Sequence, residues 1–432
     1  MTTRRNFLKQ SLLAAGAASV PAGNLLAQEK MEEKRPKYNL PYKNTYLKEP
    51  FVTENEFRTA KPETITPGTF EEAKQILPDP TWSGHEKEIE MYWKAWQIGI
   101  GNIKAPEPDS GFVCSYLDVA YNGNIFMWDS AFMMMFARFG TRFFPFQRTL
   151  DNFYAKQHPD GFICREYTSD GEAFWSKKHP VSFAPPLLSW AEVSLHENGL
   201  TGTERLRKVY PSLKKLHEFN RRNWRRPDGL YFGDALGCGM DDLPRFPVNA
   251  RYDITDGIKL ESSMVCRKGQ EYFSLIRDNP LYQWNRQMGW VDMSSQMAFD
   301  ALNLSRIAAA LEDRKSEAAW LEEHRELGEI INEKCFDEKL GFYFDFYQGS
   351  VIPRFHAGGF WPMFAGIVPP ERAEIVAAAL ADPAKFNRKV PFPALAADDP
   401  AFRPETEYWR GSVWPCTNYV ALCGLRNIGR EA

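Results

Sequence analysis

Gly237-Cys238-Gly239-Met240-Asp241-Asp242-Leu243-Pro244-Arg245 sets two adjacent carboxylates between glycines and a Pro-Arg pair. Gly and Pro punctuate a turn, not the interior of a regular element. One helical pattern precedes this turn at 206–223 and another follows it at 293–311, so the carboxylates ride on a connection between helices. Asp side chains in such a turn can cap backbone N–H groups, or one can be presented to a cleft. Further helical patterns occur at 83–103, 129–139, 144–156, 186–197, 315–335, 370–381 and 411–426; in the first, Ile89, Tyr92, Trp93 and Trp96 share a face. Strand-like runs are few, the best being Gly341-Phe342-Tyr343-Phe344-Asp345-Phe346, which suits a hairpin. Between the helices lie connections at 112–126, 160–183, 227–290 and 383–409, rich in Gly, Pro, Trp and acids. Loops of that length in a compact domain are functional or disordered, and their aromatic content argues against disorder. No short fixed period is present, which excludes a regular solenoid. The expectation is an all-α helical toroid carrying its site on the loops at one end.

The remaining composition narrows the class. The chain has 432 residues, 44% of them hydrophobic and 25% charged, the balance of a globular protein. A formal net charge of −3 argues against a nucleic-acid or anionic-membrane partner. The 7 Cys include no C-x-x-C pair and read as small buried hydrophobes. The 7 His show no metal-ligand spacing, so neither a metal nor a cofactor is expected. Aromatics reach 14%, with 13 Trp; of these, Trp224, Trp284 and Trp320 read as core.

At the N-terminus, Thr3-Arg4-Arg5-Asn6-Phe7-Leu8-Lys9 followed by a small apolar run at 12–20 has the form of a twin-arginine export signal. The apolar run is too short and too rich in Ala and Gly for a transmembrane helix. The expected organisation is a signal peptide at 1–29, a proline-rich leader at 30–82 lying over the main domain, and that domain at 83–432. The signal implies the Tat translocon as a partner during export, no membrane span in the mature form, and a periplasmic or secreted destination.

Four loop motifs can carry chemistry. In Gly123-Asn124-Ile125-Phe126-Met127-Trp128-Asp129-Ser130, Asp129 is placed to cap a helix beginning near Ala131, and Trp128 can serve as a sugar platform. Asp160-Gly161-Phe162-Ile163-Cys164-Arg165-Glu166 offers an Arg and a Glu that either pair with each other or bind hydroxyls. The Asp241-Asp242 turn is the third. Tyr408-Trp409-Arg410-Gly411-Ser412-Val413-Trp414-Pro415 sets aromatics and an Arg at the entrance to the last helix. Carboxylates, Arg forks and indoles, without a nucleophilic triad or phosphate loop, are the equipment of carbohydrate recognition. Glycosidic cleavage needs one carboxylic acid to protonate the leaving oxygen and a second carboxylate to activate water or attack directly.

In order along the chain, Phe126-Met127-Trp128-Asp129-Ser130-Ala131-Phe132, Gly161-Phe162-Ile163-Cys164-Arg165-Glu166, Gly239-Met240-Asp241-Asp242-Leu243-Pro244-Arg245 and the 408–415 motif resemble glycoside hydrolase family 63. The likeness is greatest to mannosylglycerate hydrolase-like enzymes, with trehalases more distant, and runs from about residue 85 onward. Single motifs are weak; the ordered set is specific. The resemblance implies an (α/α)6 barrel and an enzyme, a glycosidase that hydrolyses small α-linked glucosides or mannosides with inversion. It makes Asp241 the general acid, and it lines the sugar subsite with Asp242, Arg245, Trp128, Asp129, Arg165, Glu166, Tyr408, Trp409, Arg410 and Trp414. Asp241 would need a raised pKa to be protonated near neutrality, part of which Asp242 could supply.

Two departures follow from the same resemblance. The family's general base is a Glu tens of residues beyond the Trp-Arg-Gly motif, followed by a closing helix, and the chain ends at Ala432 before either; Glu405 and Glu407 precede the motif. A chain lacking its last helix is therefore expected. The alternatives are a sugar-binding relative that has lost its base, or a base from another carboxylate or a partner chain. The second departure is an insertion between Arg245 and Trp290, placed to cover or narrow the cleft.

Overall fold

A computed structural model describes residues 55–430 apart from 120–121, 176, 178–181, 235–236, 242, 246–285 and 405–407. Asp242, Trp284, Glu405, Glu407, the export signal and nearly all of the insertion lie outside the described residues.

Helices fall into two kinds by what their faces bury. The helices α3 (Met127–Ala137), α5 (Leu188–Glu197) and α7 (Val291–Ala310) bury residues on most of their circumference. The helices α2 (Glu86–Gly101), α6 (Thr203–Trp224), α8 (Arg314–Lys334) and α10 (Pro370–Ala381) bury one stripe and expose the other face. Helices hydrophobic or small all round belong inside, amphipathic ones outside. In α8 the stripe is Trp320, Glu323, Leu327, Gly328 and Ile331. The inner helices pack in chain order, α3 on α5, α5 on α7, α7 on the single-turn α9 (Trp361–Phe364), and α9 on α11 (Pro415–Asn427). The short link 311–313 folds α8 back along α7. Inner helices following one another, each backed by an amphipathic partner, make the expected helical toroid. The short α1 (Phe70–Lys74) and α4 (Thr149–Ala155) complete the described helices.

Strands are two-residue pieces that tie loops together. Strand β1 (Ile103–Lys104) pairs with β2 (Tyr116–Leu117), and β3 (Ile125–Phe126) with β4 (Glu166–Tyr167). The aromatic run at 341–346 splits between two hairpins. Its β7 (Phe342–Tyr343) pairs with β6 (Phe336–Asp337), while β8 (Phe346–Tyr347) lies between β5 (Met288–Gly289) and β9 (Ser350–Val351).

Helix ends differ from the sequence pattern where proline or a strand intervenes. The pattern at 411–426 becomes a helix only from Pro415, because a residue before proline is steered to extended backbone, as Trp414 is at φ −116°, ψ 126°. After Pro145, a 3₁₀ turn at Phe146–Arg148 replaces the first part of the helix expected from 144. Helix α3 starts at Met127 from the extended Phe126 of β3. Asp129 therefore sits inside the first turn, not at the cap, where its charge still suits the helix N-terminus.

Among the described residues, buried ionic networks fasten the helices to one another. His217 of α6 bonds Asp300 of α7 through Nδ1 (2.7 Å) and Glu323 of α8 through Nε2 (3.0 Å), and the Ser189 hydroxyl of α5 donates to the same Asp300. Burial alone would push the imidazole down, but these two carboxylates outweigh it and raise His217 to about 9. Arg205 of α6 forks onto Glu192 of α5 (2.7 and 2.8 Å) and reaches Asp151 of α4 (3.0 Å), with Tyr154 donating to Glu192 (3.0 Å). Residues 55–82 lie against this body: Phe57, Ala73 and Leu77 are buried, and Ile65 N–H donates to Ser115 Oγ at 2.8 Å. Trp224 and Trp320 are buried, as expected of core residues.

Candidate active site

The acid turn is built from its own backbone upward. Asp234, fully buried, accepts the Gly237 N–H on its carboxylate (3.1 Å) and the Cys238 N–H on its carbonyl (2.8 Å). Leu243 N–H closes onto the Met240 carbonyl at 3.1 Å. Met240 and Leu243 are buried on either side, and Asp241 is 4% exposed. Gly239 has φ +82°, a conformation that suits only glycine well, and its Cα lies against the Trp128 indole. The turn that carries Asp241 thus rests directly on the first motif.

The first and second motifs are joined by hydrogen bonds. Beyond the β3–β4 pairing, Met127 N–H donates to the Arg165 carbonyl at 2.8 Å. Both side chains of the Arg-Glu pair are buried and engaged. Glu166 accepts from Asn124 Nδ2 and from Trp175 Nε1, each at 2.8 Å, while the Arg165 guanidinium stands 4.8 Å from the centre of the Trp175 ring. Glu166 and Arg165 do not simply pair with each other; they share Trp175. Such a turn needs close approach of backbones, and Gly161 (φ +101°) supplies it, since a Cβ there would fall 2.1 Å from the Lys215 carbonyl oxygen.

The fourth motif completes an aromatic row. Trp128 and Trp409 lie 6.4 Å apart between ring centres, Trp409 stacks on Trp414 at 4.3 Å and 8°, and Tyr408 meets Trp414 edge-on at 5.1 Å. Trp414 Nε1 donates to the Tyr408 carbonyl at 3.0 Å. With one face against Trp414 and an exposure of 2%, Trp409 acts as the back of this row, whereas Trp128 at 8% and the half-buried Tyr408, Arg410 and Trp414 stand nearer the surface.

Arg245 occupies a different place from the one expected of a sugar-contacting residue. It is fully buried, its guanidinium bound by Asp292 and Asp345 and set 4.2 Å from the centre of the Trp290 ring. Asp345 also accepts the Val291 N–H at the start of α7 (2.8 Å) and bonds His356 Nε2 (3.2 Å). Burial would raise the Asp345 carboxyl, but the Arg245 charge and His356 hold it well below the usual carboxylate range. Burial pushes the neighbouring Cys238 thiol far up, so it stays protonated and acts as a small packing group.

Several residues of this site were not singled out from sequence. Asn124 lay within the first motif, and Asp345 stood as the lone charge in an aromatic run, a signal for a buried ion pair. Trp175, Asp234 and His356 carried no local signal, because their roles arise only where distant loops meet.

A helical toroid with a buried carboxyl turn, an aromatic row and engaged Arg and Glu side chains at converging loops is an (α/α)6 glycosidase architecture. The chain belongs to the mannosylglycerate hydrolase MGH1-like glycoside hydrolase domain family, whose model matches residues 122–432. A mannosylglycerate hydrolase of Thermus thermophilus is 33% identical over 109 residues, 24% of this chain and 25% of that protein. An uncharacterised protein of Borreliella burgdorferi is 24% identical over 289 residues, 65% of this chain and 52% of that protein, so the chain spans about half the length of that relative. Among solved structures, a family 63 mannosylglycerate hydrolase from Thermus thermophilus in complex with glucose superposes with a TM-score of 0.58 at 21% identity, covering 78% of this chain and 86% of that one. The neutral trehalase Nth1 of Saccharomyces cerevisiae does so at 0.53 and 14%, covering 73% and 64%. At these identities the likeness establishes the fold.

Proposed function

We propose that this chain is an inverting glycoside hydrolase acting on small α-linked mannosides or glucosides, with Asp241 as the general acid. The observation that carries the reading is the turn itself: a buried carboxyl between Met240 and Leu243, set on the Trp128 indole by Gly239, inside a glycoside hydrolase domain. A carboxyl screened from water is the setting in which an acid keeps its proton. Asp241 gives that proton to the glycosidic oxygen as the bond to the anomeric carbon breaks. Water adds to the opposite face of that carbon, so an α-glycoside yields the β-sugar; its proton goes to a second carboxylate, a role that the family resemblance gives to a Glu beyond the Trp-Arg-Gly motif. Trp128, with Tyr408 and Trp414 farther along the row beyond Trp409, offers apolar faces to sugar C–H surfaces. Arg165, Glu166, Arg410 and Asp129, with Asp242 next to the acid, offer charged partners for hydroxyls. Relatives named as mannosylglycerate hydrolases favour a mannosyl unit on a small acidic aglycone.

The deciding experiment follows purified chain with mannosylglycerate, glucosylglycerate and trehalose by proton NMR. Release of sugar whose first-formed anomer is β supports the reading; binding without release from any α-glycoside would favour a sugar-binding relative instead. Export by the Tat translocon to the periplasm rests on Arg4-Arg5 and the apolar run behind them. Fractionation of cells carrying Arg4→Lys with Arg5→Lys tests it, and the precursor should then stay in the cytoplasm.

A further inference from the structure

We infer that Arg245 is a positioning residue that fixes Asp241 as a proton donor without touching sugar. The inference rests on the reading of Asp241 as general acid. Arg245 has no exposed surface, so a substrate in the cleft does not reach its guanidinium. Its contacts run along two directions. Outward from the turn it binds Asp292 in the first turn of α7, Asp345 on the segment between β7 and β8, and the ring of Trp290. Back across the turn, Nη2 approaches Cys238 Sγ at 3.7 Å, and the same sulfur accepts the Met240 N–H at 3.5 Å. Arg245 therefore clasps the two ends of the segment 238–245 together around Asp241 and ties the closed segment to the start of α7. A planar fork that satisfies two carboxylates and a sulfur at once fixes orientation as well as charge, which a lysine ammonium cannot do. A general acid displaced by about 1 Å loses its hydrogen bond to the leaving oxygen while the sugar subsite stays formed.

Substrates that differ in their need for a proton separate this role from sugar binding and from simple loss of fold. An alkyl α-glycoside requires protonation of its leaving oxygen; the corresponding α-glycosyl fluoride departs with little help. In Arg245→Lys, kcat on the alkyl α-glycoside should fall on the order of 10²-fold, the scale of general acid catalysis, with KM nearly unchanged and kcat on the α-mannosyl or α-glucosyl fluoride kept within a few-fold. Asp241→Asn should show the same selectivity, and circular dichroism checks each fold. If Arg245→Lys does not fold, Trp290→Phe keeps every ion pair and trims the ring beneath the guanidinium; it should show a weaker form of the same selective loss. Equal loss on both substrates by a folded variant, or a raised KM on both with kcat kept, overturns the positioning role. A wild-type chain that cleaves neither substrate class overturns the glycosidase reading itself, and this inference with it.

Discussion

Gly239 lies so close to the face of Trp128 that a Cβ built on it would come within 2.3 Å of the indole Cζ2. The turn that carries Asp241 and the aromatic row thus meet in direct contact at this one position. Gly239→Ala must place a side chain into that contact at a φ of +82°. It should cost roughly 1–3 kcal/mol, read as a lower urea midpoint, and should lower kcat more than it raises KM. An alanine variant with wild-type stability and turnover would show that the contact is not part of the site's geometry.

The His217 network makes a pH-dependent contribution to stability. Its folded pKa of about 9 lies above the ordinary 6.5. The imidazolium's contribution is therefore full below pH 6.5 and is lost as pH rises through about 9. That shift is worth about 3 kcal/mol. Unfolding free energies from urea titrations at pH 6, 8 and 10 should fall across this range, and His217→Gln should flatten the fall. An unchanged slope would place the proton elsewhere.

Arg205 neutralises two buried carboxylates, Glu192 and Asp151, on separate helices. Arg205→Met should cost roughly 3–5 kcal/mol, because it leaves uncompensated charge in the interior. Adding Glu192→Gln should recover part of that loss. Thermal unfolding of the single and double variants measures the coupling, and simple additivity would contradict it.

Trp409 backs the aromatic row with its ring stacked on Trp414. Trp409→Ala should cost roughly 3–5 kcal/mol as a buried truncation. Trp414→Ala, at a partly exposed position, should cost less in stability while weakening substrate binding. Paired urea melts and KM values separate the two; equal stability losses would contradict the division.

Much of this arrangement was legible in the sequence because helical periodicity survives burial. The pattern at 370–381 coincides with α10, and those at 206–223, 293–311 and 315–335 fall within a few residues of α6, α7 and α8. The order of motifs likewise pointed to loops that the fold brings together around Trp128. What stayed hidden was the use made of individual charges. The family resemblance puts Arg245 in the sugar subsite, but its partners Asp292 and Asp345 are 47 and 100 residues away. The single-turn helix Trp361–Phe364 is too short to show a period, and its identity comes from packing between α7 and α11.

The most direct test of the proposed role of Asp241 is turnover by Asp241→Asn, beside the wild-type chain, on the α-glycosides named above, with circular dichroism to confirm the fold. Removing the acid while keeping its shape should reduce kcat by about 10²–10⁴-fold with little change in KM. A folded Asp241→Asn chain that turns over at the wild-type rate would contradict the assignment of Asp241 as the acid.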